Sequence, residues 1–261
     1  MYHILLNLIS SIYKIMNIIR AIILSIILIA PVKANTIYNL IKIPNLEIFE
    51  INTKNKLKYL YAARPFRLGT QKNIACSNTN KKNLEIKYKI ISNSLKIYST
   101  NYLKKINLKY IVMCENLSIS ELYTAGIPDN IMKTLILDIK FNEDYFERII
   151  HHEVFHIVNL QHKEIFNDEE WIKFNNPKFK YAECSTCTKN ISLKRYKETK
   201  GFFTEYSKST AAEDMAEVYS HIISLKNDKI NQISKLDPIL NNKILYIKDK
   251  IKQIENSFTF K

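Results

Sequence analysis

Apolar and polar positions follow two rhythms along the chain. Near its start the period is short. Leu46-Glu47-Ile48-Phe49-Glu50-Ile51 and Leu57-Lys58-Tyr59-Leu60-Tyr61 read as strands able to pair as a hairpin across Asn52 to Lys56. Arg64-Pro65-Phe66 and Gly69 then break the pattern. Leu84, Tyr88, Ile91, Leu95, Tyr98, Tyr102 and Leu103 recur near helical spacing and predict one long helix over 83–105. Leu108 to Leu117, around Tyr110-Ile111-Val112-Met113, predicts a strand, and Thr134-Leu135-Ile136-Leu137-Asp138-Ile139 another. Thr124-Ala125-Gly126-Ile127-Pro128-Asp129 between them is turn chemistry.

From Asn142 onward the helical rhythm dominates. Asn142 is a good N-cap, and Glu143 and Asp144 fall in the first turn, where the helix dipole favours acids. Phe146, Ile149, Ile150, Val154, Phe155, Ile157 and Val158 make this helix apolar on most of its surface. A short helix follows over 167–175, with Asn167 as cap, Glu170 at the third helical position and Pro177 as the stop. Residues 178–203 are a long, weakly patterned loop. Tyr206 to Tyr219 reads as a second apolar-faced helix, capped by Ser209 or Thr210, with Ala211, Ala212 and Ala216 permitting close approach. Residues 227–258 are helical with a break near Asp237-Pro238. The mixture predicts an α+β fold: a small mixed sheet over helices, with a cleft between an N-terminal lobe and a helical C-terminal lobe.

The first of these helices carries the chemistry. His152-Glu153-Val154-Phe155-His156 spells H-E-x-x-H, and positions four apart lie one turn apart on one face. Two imidazoles stacked in this way can bind one Zn²⁺, with Glu153 reaching a metal-bound water as general base. A catalytic zinc takes three protein ligands. Glu213 on the second helix is the candidate third ligand. Glu217, one turn on, can accept a hydrogen bond from the free ring nitrogen of a ligand His and fix its tautomer. His151 and His221 are spare candidates; His151 faces away from the pair and reads as a packing group. Against this stands the reading in which the His residues merely hydrogen-bond within a polar patch.

H-E-x-x-H followed by a distant E-x-x-x-[DE] helix resembles the gluzincin pattern. The match is similar to the catalytic domain of anthrax lethal factor and its relatives, through Tyr206, Ala212, Glu213, Ala216 and Glu217. It also looks like a group of bacterial zinc metallopeptidases, through Trp171, Asn176-Pro177, Phe179 and Tyr181. The resemblance covers about residues 120 to 225. It implies a zincin-like peptidase domain with one catalytic zinc held by His152, His156 and Glu213. It further implies Tyr206 as a hydrogen-bond donor to the tetrahedral intermediate, and the strand just before the zinc helix as a cleft wall able to pair with an extended substrate. The long gap from His156 to Glu213, with Cys184 and Cys187, departs from that pattern and bears on the shape of the cleft.

Composition adjusts this picture only slightly. The chain is 46% hydrophobic and 11% aromatic, with a mean hydropathy of −0.18, as suits one globular domain. The formal charge of +14 is spread along a Lys-, Ile- and Asn-rich sequence. Arg is scarce, which speaks against nucleic acid as a partner; peptide or protein substrate and a monomeric state are expected. Residues 1–34 read as a signal peptide: a basic stretch Met16 to Arg20, an apolar stretch Ala21 to Ala30, and Val32-Lys33-Ala34 before a cleavage point at Asn35. Either translation begins at Met16, or residues 1–32 form an uncleaved membrane anchor. The domain proper is then 35–261, exported to the periplasm or medium. In that compartment the four Cys predict disulfides, Cys76 with Cys114 and Cys184 with Cys187. The rival is a structural zinc site using the same four. Two other classes of function stay open: a non-catalytic zinc-containing envelope protein that binds peptides or cell-wall fragments, and a basic surface-binding protein.

Overall fold

The structure is a computed structural model and describes residues 45–69, 72–187 and 191–260. The N-terminal segment read as a signal or anchor lies outside the described residues. Among the described residues, eight strands form one sheet with parallel and antiparallel pairs, flanked by helices. The sheet opens with the expected hairpin, β1 (Leu46–Glu50) antiparallel to β2 (Lys58–Ala62). Where Pro65 and Gly69 break the pattern, two short strands form nonetheless, β3 (Phe66–Leu68) and β4 (Ile74–Ser77). They were illegible because each is too short to show an alternation.

The helical stretch over 83–105 is two helices rather than one. Helix α1 (Lys81–Leu95) is capped by the Asn80 side chain, and α2 (Thr100–Lys105) by that of Ser99. Ser99 lies in the extended region and accepts from the Tyr102 amide, so a new helix starts there while the apolar spacing runs on. Tyr98, Tyr102 and Leu103 remain core residues in spite of the break.

Strand β5 (Tyr110–Ile119) is the spine of the sheet. Its first half pairs in parallel with β2 and with β8 (Thr134–Asp138). Asn116 takes a positive φ of 54°, and the second half pairs antiparallel with β4 and with β6 (Leu122–Tyr123). Buried Asp138 ties this bend, accepting the amides of Asn116, Leu117 and Lys140 at 3.2, 3.2 and 2.9 Å. The stretch over 124–129 is not merely a turn: Gly126–Asp129 is strand β7, antiparallel to β8. Strand β8 is therefore enclosed between β5 and β7, and among the described residues β7 holds the border.

Helix α3 (Glu143–Gln161) begins at Asn142, whose side chain accepts from the Asp144 amide. It packs along α5 (Ala211–Ser224), the second chemistry-bearing helix. Between them lie α4 (Asp168–Ile172), with its Asn167 cap as expected, and a crossover whose described residues form no helix or strand before Tyr206 apart from one bridge, Arg195 to Thr204. Tyr206 does not belong to α5. It opens a separate 3₁₀ turn, Tyr206–Lys208, and Thr210 is the cap of α5. Helices α6 (Asn227–Leu236) and α7 (Pro238–Ile254) follow, with Asp237 capping the latter and Pro238 at its first turn. Core side chains from α1, α2, α3, α5, α7 and the sheet form one apolar cluster. Both expected disulfides are present, Cys76 to Cys114 and Cys184 to Cys187. That disposes of the four-Cys metal site.

Candidate metal centre

The apolar face of α3 sinks it into the core, and burial carries His152 and Glu153 with it; they are 2% and 7% exposed. The small residues of α5 let it run close against α3. Glu213, in the first turn of α5, then meets the His pair. His152 Nε2 lies 2.9 Å and His156 Nε2 3.2 Å from the same oxygen, Oε2 of Glu213, and the two imidazole nitrogens are 3.1 Å apart. Among the described residues these three form a cluster able to hold a metal ion.

The donor set fits zinc. A tetrahedral ion with bonds of about 2.0–2.1 Å sets neighbouring ligand atoms roughly 3.3 Å apart, close to what these atoms show. Two facing imidazole nitrogens and a carboxylate oxygen at one point are also a costly group to leave without a central cation or proton. His152, His156 and Glu213 are thus brought together as the sequence suggested. His151 and His221 are not part of the cluster. The His151 Nδ1 pairs with the Tyr98 hydroxyl at 2.8 Å. His221 stacks on Phe203, ring centres 4.1 Å apart, and its Nδ1 donates to the Glu217 carbonyl at 2.7 Å.

Behind the triad lies a second layer. His152 Nδ1 donates to Glu217 Oε1 at 3.0 Å, which leaves Nε2 free for a metal. Glu217 also accepts from Arg148 at 2.5 Å and from the Thr204 hydroxyl at 2.7 Å. Burial pushes its carboxyl up, but Arg148 and His152 outweigh that and hold it down at about 2, so it stays ionised. Arg148 and Thr204 escaped the sequence reading. Arg148 stands four residues before His152, one turn back on the same face, and that spacing was the available signal. Thr204 lies in the unpatterned crossover and gave none.

Glu153 lies against Gly126 of β7. A Cβ built on Gly126 would lie 2.6 Å from Glu153 Cγ and 2.9 Å from its Cδ. Burial pushes the Glu153 carboxyl above the ordinary carboxylate range, opposed by His152 and His156. The Tyr206 ring sits 5.9 Å from that of His152. Burial, with Glu213 and Glu153 nearby, raises its hydroxyl far above the usual phenol value, so it keeps its proton and is a donor.

Strand β8, just before the zinc-motif helix, has neighbours on both sides, and among the described residues β7 pairs with β8 alone. The Asp138 amide donates to the Ala125 carbonyl at 2.9 Å, and Gly126 pairs with Leu137. The alternation of antiparallel ladders then turns the backbone groups of Gly126 and Pro128 away from β8. Gly126 offers its N–H there, its carbonyl taking the Thr124 hydroxyl at 3.0 Å. Pro128 offers a carbonyl only. The border strand thus carries these outward groups at Gly126, the residue that lies against Glu153. A cavity of about 1480 Å³ opens one turn along, beside Arg148 and His221, and none of the three donors lines it.

Comparison with known proteins agrees with this geometry. The structure resembles the "Crystal structure of a putative zinc-binding metallo-peptidase" from Bacteroides caccae, with a TM-score of 0.51 and 18% identity over 88% of this chain and 89% of that one. At that identity the likeness speaks for the α+β fold. No curated protein matched the chain. A family model described as "Putative zinc-binding metallo-peptidase" matches residues 86–257, which include every element of the site. With two thirds of its length matched, from α1 to the end of the helical region, the chain belongs to this family of zinc-binding metallo-peptidases.

Proposed function

We propose that this protein is an exported zinc peptidase of the gluzincin type, with a zincin-like domain. The observation that carries the reading is the convergence of His152 Nε2, His156 Nε2 and one Glu213 oxygen at a point flanked by Glu153 and Tyr206. His152, His156 and Glu213 would hold one zinc ion. When bound, the ion supplies Lewis acidity, lowering the pKa of a water and polarising the scissile carbonyl. Every other part falls to the chain itself.

Glu153 takes the proton of the attacking water and later delivers it to the leaving amine. Its buried setting, which weakens the ionised form, brings its basicity towards the range such a shuttle needs. Tyr206, whose proton is retained through burial and the nearby Glu213 and Glu153 carboxylates, donates to the oxygen on which negative charge develops. Glu217, fixed by Arg148 and Thr204, holds the His152 ring in one tautomer and orientation. The outward edge of β7 gives an extended peptide a place to pair beside Glu153. The gluzincin spacing, and the Tyr206 to Glu213 register shared with the lethal factor catalytic domain, support the same roles. The substrate is a peptide or protein, and the enzyme works as a monomer beyond the cytoplasm. Export rests on the apolar N-terminal segment and agrees with the two disulfides.

The test is zinc content of the purified mature form beside Glu153→Gln and Glu213→Ala, with cleavage of a denatured protein mixture measured in parallel. We expect one zinc in the wild type, zinc without cleavage in Glu153→Gln, and loss of zinc in Glu213→Ala. Zinc that persists in Glu213→Ala would show the third ligand to be misplaced. Zinc in the wild type with no cleavage of any protein would turn the reading towards a peptide-binding envelope protein.

A further inference from the structure

Next to Glu213 on α5 stands Asp214, and its side chain is wholly buried. One of its oxygens, Oδ2, accepts three hydrogen bonds from three separate segments. Trp171 Nε1 of α4 donates at 2.9 Å, the Tyr181 hydroxyl of the crossover at 2.6 Å, and Lys243 Nζ of α7 at 2.6 Å. Lys243, itself wholly buried, donates onward to the Gly201 carbonyl at 2.8 Å. Asn175 Nδ2 donates to the Tyr181 hydroxyl at 2.9 Å. The start of the crossover is thus bonded directly to Asp214 and its end through Lys243, while the Thr199 hydroxyl and the Gly201 amide each donate at 2.6 Å to Asp237 Oδ2 at the cap of α7.

Buried ion pairs add little net stability, and apolar residues of the same volume would often hold two helices together as well. The Asp214 arrangement is better explained by where it puts things. The four residues from Gly201 to Thr204 are held one after another, the first two by Lys243 of α7 and the last two by α5. Gly201 is held through Lys243, and Phe202 lies under the same ammonium at 4.0 Å. Phe203 stacks on His221, and Thr204 donates to Glu217 at 2.7 Å. Two residues later comes Tyr206. Asp214 and Glu217 therefore fasten, on one helix, the segment that delivers the Tyr206 hydroxyl, and the same helix carries Glu213.

We infer that Asp214 is a positioning residue: through Tyr181 and Lys243 it sets the crossover so that Tyr206 faces the reacting carbonyl. This rests on the peptidase reading above, in which Tyr206 donates to the developing oxyanion. The role is geometric, so a small error should appear in turnover rather than in substrate binding, since Tyr206 acts as charge develops.

Lys243→Met would strand a buried carboxylate and is expected to prevent folding. Tyr181→Phe removes one hydrogen bond and no charge, and is the variant to use. The full-length mature protein, zinc-loaded, is compared as wild type, Tyr181→Phe, Tyr206→Phe and the double variant. We expect Tyr181→Phe to lower kcat by roughly 10-fold with KM changed less than about twofold. We expect it to add almost nothing on top of Tyr206→Phe, because the two act through one hydroxyl. Zinc affinity, read by a competing chelator, stays that of the wild type. Trypsin nicking between 175 and 203, read on the metal-free and the loaded protein, becomes several-fold faster. Independent, multiplicative effects of the two substitutions would overturn the inference, as would a lower melting temperature with kcat unchanged or unaltered nicking. A wild type that cleaves no peptide would sink the peptidase reading and this role together. A wild type that cleaves, with the two effects independent, would sink this role alone.

Discussion

Gly126 lies against Glu153 so closely that even a methyl group has no room: its Cβ would come within 2.6 Å of Glu153 Cγ. The glycine is there for close approach rather than for backbone freedom. It lets the border strand of the sheet rest on the helix that carries the proposed general base, so that edge and carboxylate share one small volume.

Gly126→Ala should therefore push Glu153 from its place. We expect a fold cost of about 1–3 kcal/mol, typical of overpacking, and a fall in turnover larger than that in zinc binding. Melting curves, zinc content and steady-state kinetics on one preparation decide it. A variant with wild-type kcat would show that Glu153 has slack here.

Arg148 is not one of the three proposed zinc ligands, yet it should matter to the metal through Glu217. Removing it in Arg148→Met leaves buried Glu217 without its strongest partner. Breaking a buried pair from one side costs roughly 3–5 kcal/mol, and losing the support of a ligand His weakens metal binding about 10–100-fold. Chelator competition and thermal unfolding report the two effects separately. Arg148→Lys keeps the charge but not the second bond to the Leu193 carbonyl at 2.8 Å, and should fall between.

His221 predicts a pH dependence. Burial, with Arg148 and Arg195 nearby, lowers its folded pKa from 6.5 to about 3. A depressed pKa means that the unfolded chain takes up a proton first. The contribution of His221 is thus fully present above about pH 6.5 and is lost as pH falls towards 3. The slope approaches about 1.4 kcal/mol per pH unit within that window. Denaturant unfolding of wild type and His221→Phe between pH 7 and 4 should show the slope shrinking in the variant. Equal slopes would refute it.

The Cys76–Cys114 bridge joins β4 to the spine strand β5 and closes a 38-residue span. A loop of that length gives about 4 kcal/mol by loop-closure entropy. Cys184–Cys187 closes a span of three and should give far less. Pairwise Cys→Ala variants, melted with and without reductant, should show one large effect and one small one.

Metal removal should lower the melting temperature. A ligand at about 1,000 times its dissociation constant stabilises the fold by roughly 4 kcal/mol. Glu213→Ala should be insensitive to chelator at the same zinc concentration. A wild type whose melting is indifferent to chelator would place no metal at this centre.

Much of this was legible before folding. A helix period is local, so His152 and His156 four apart had to share a face, and Asn142 and Asn167 could be seen as caps. The apolar flanks of α3 announced that its polar residues would be buried. The strands β2, β5 and β8 were visible because each is long enough to show a pattern. Residues whose role depends on distant chain were not visible. Gly126 looked like turn chemistry, because only the pairing with β8 and the approach of Glu153 make it an edge. The split between α1 and α2 hid in a continuous apolar spacing, since the core needs Tyr98 and Tyr102 whether or not the helix runs through. Arg148 and Thr204 meet Glu217, and Trp171, Tyr181 and Lys243 meet Asp214, across separations of 13 to 69 residues that carry no period. Sequence alone determined which groups could bind a metal, since that chemistry follows residue type and short spacing. The tertiary structure decided which carboxylate oxygen meets the two imidazoles, which ring nitrogen of His152 faces Glu217 and which strand lies against Glu153, because those follow from how α3, α5 and β7 pack.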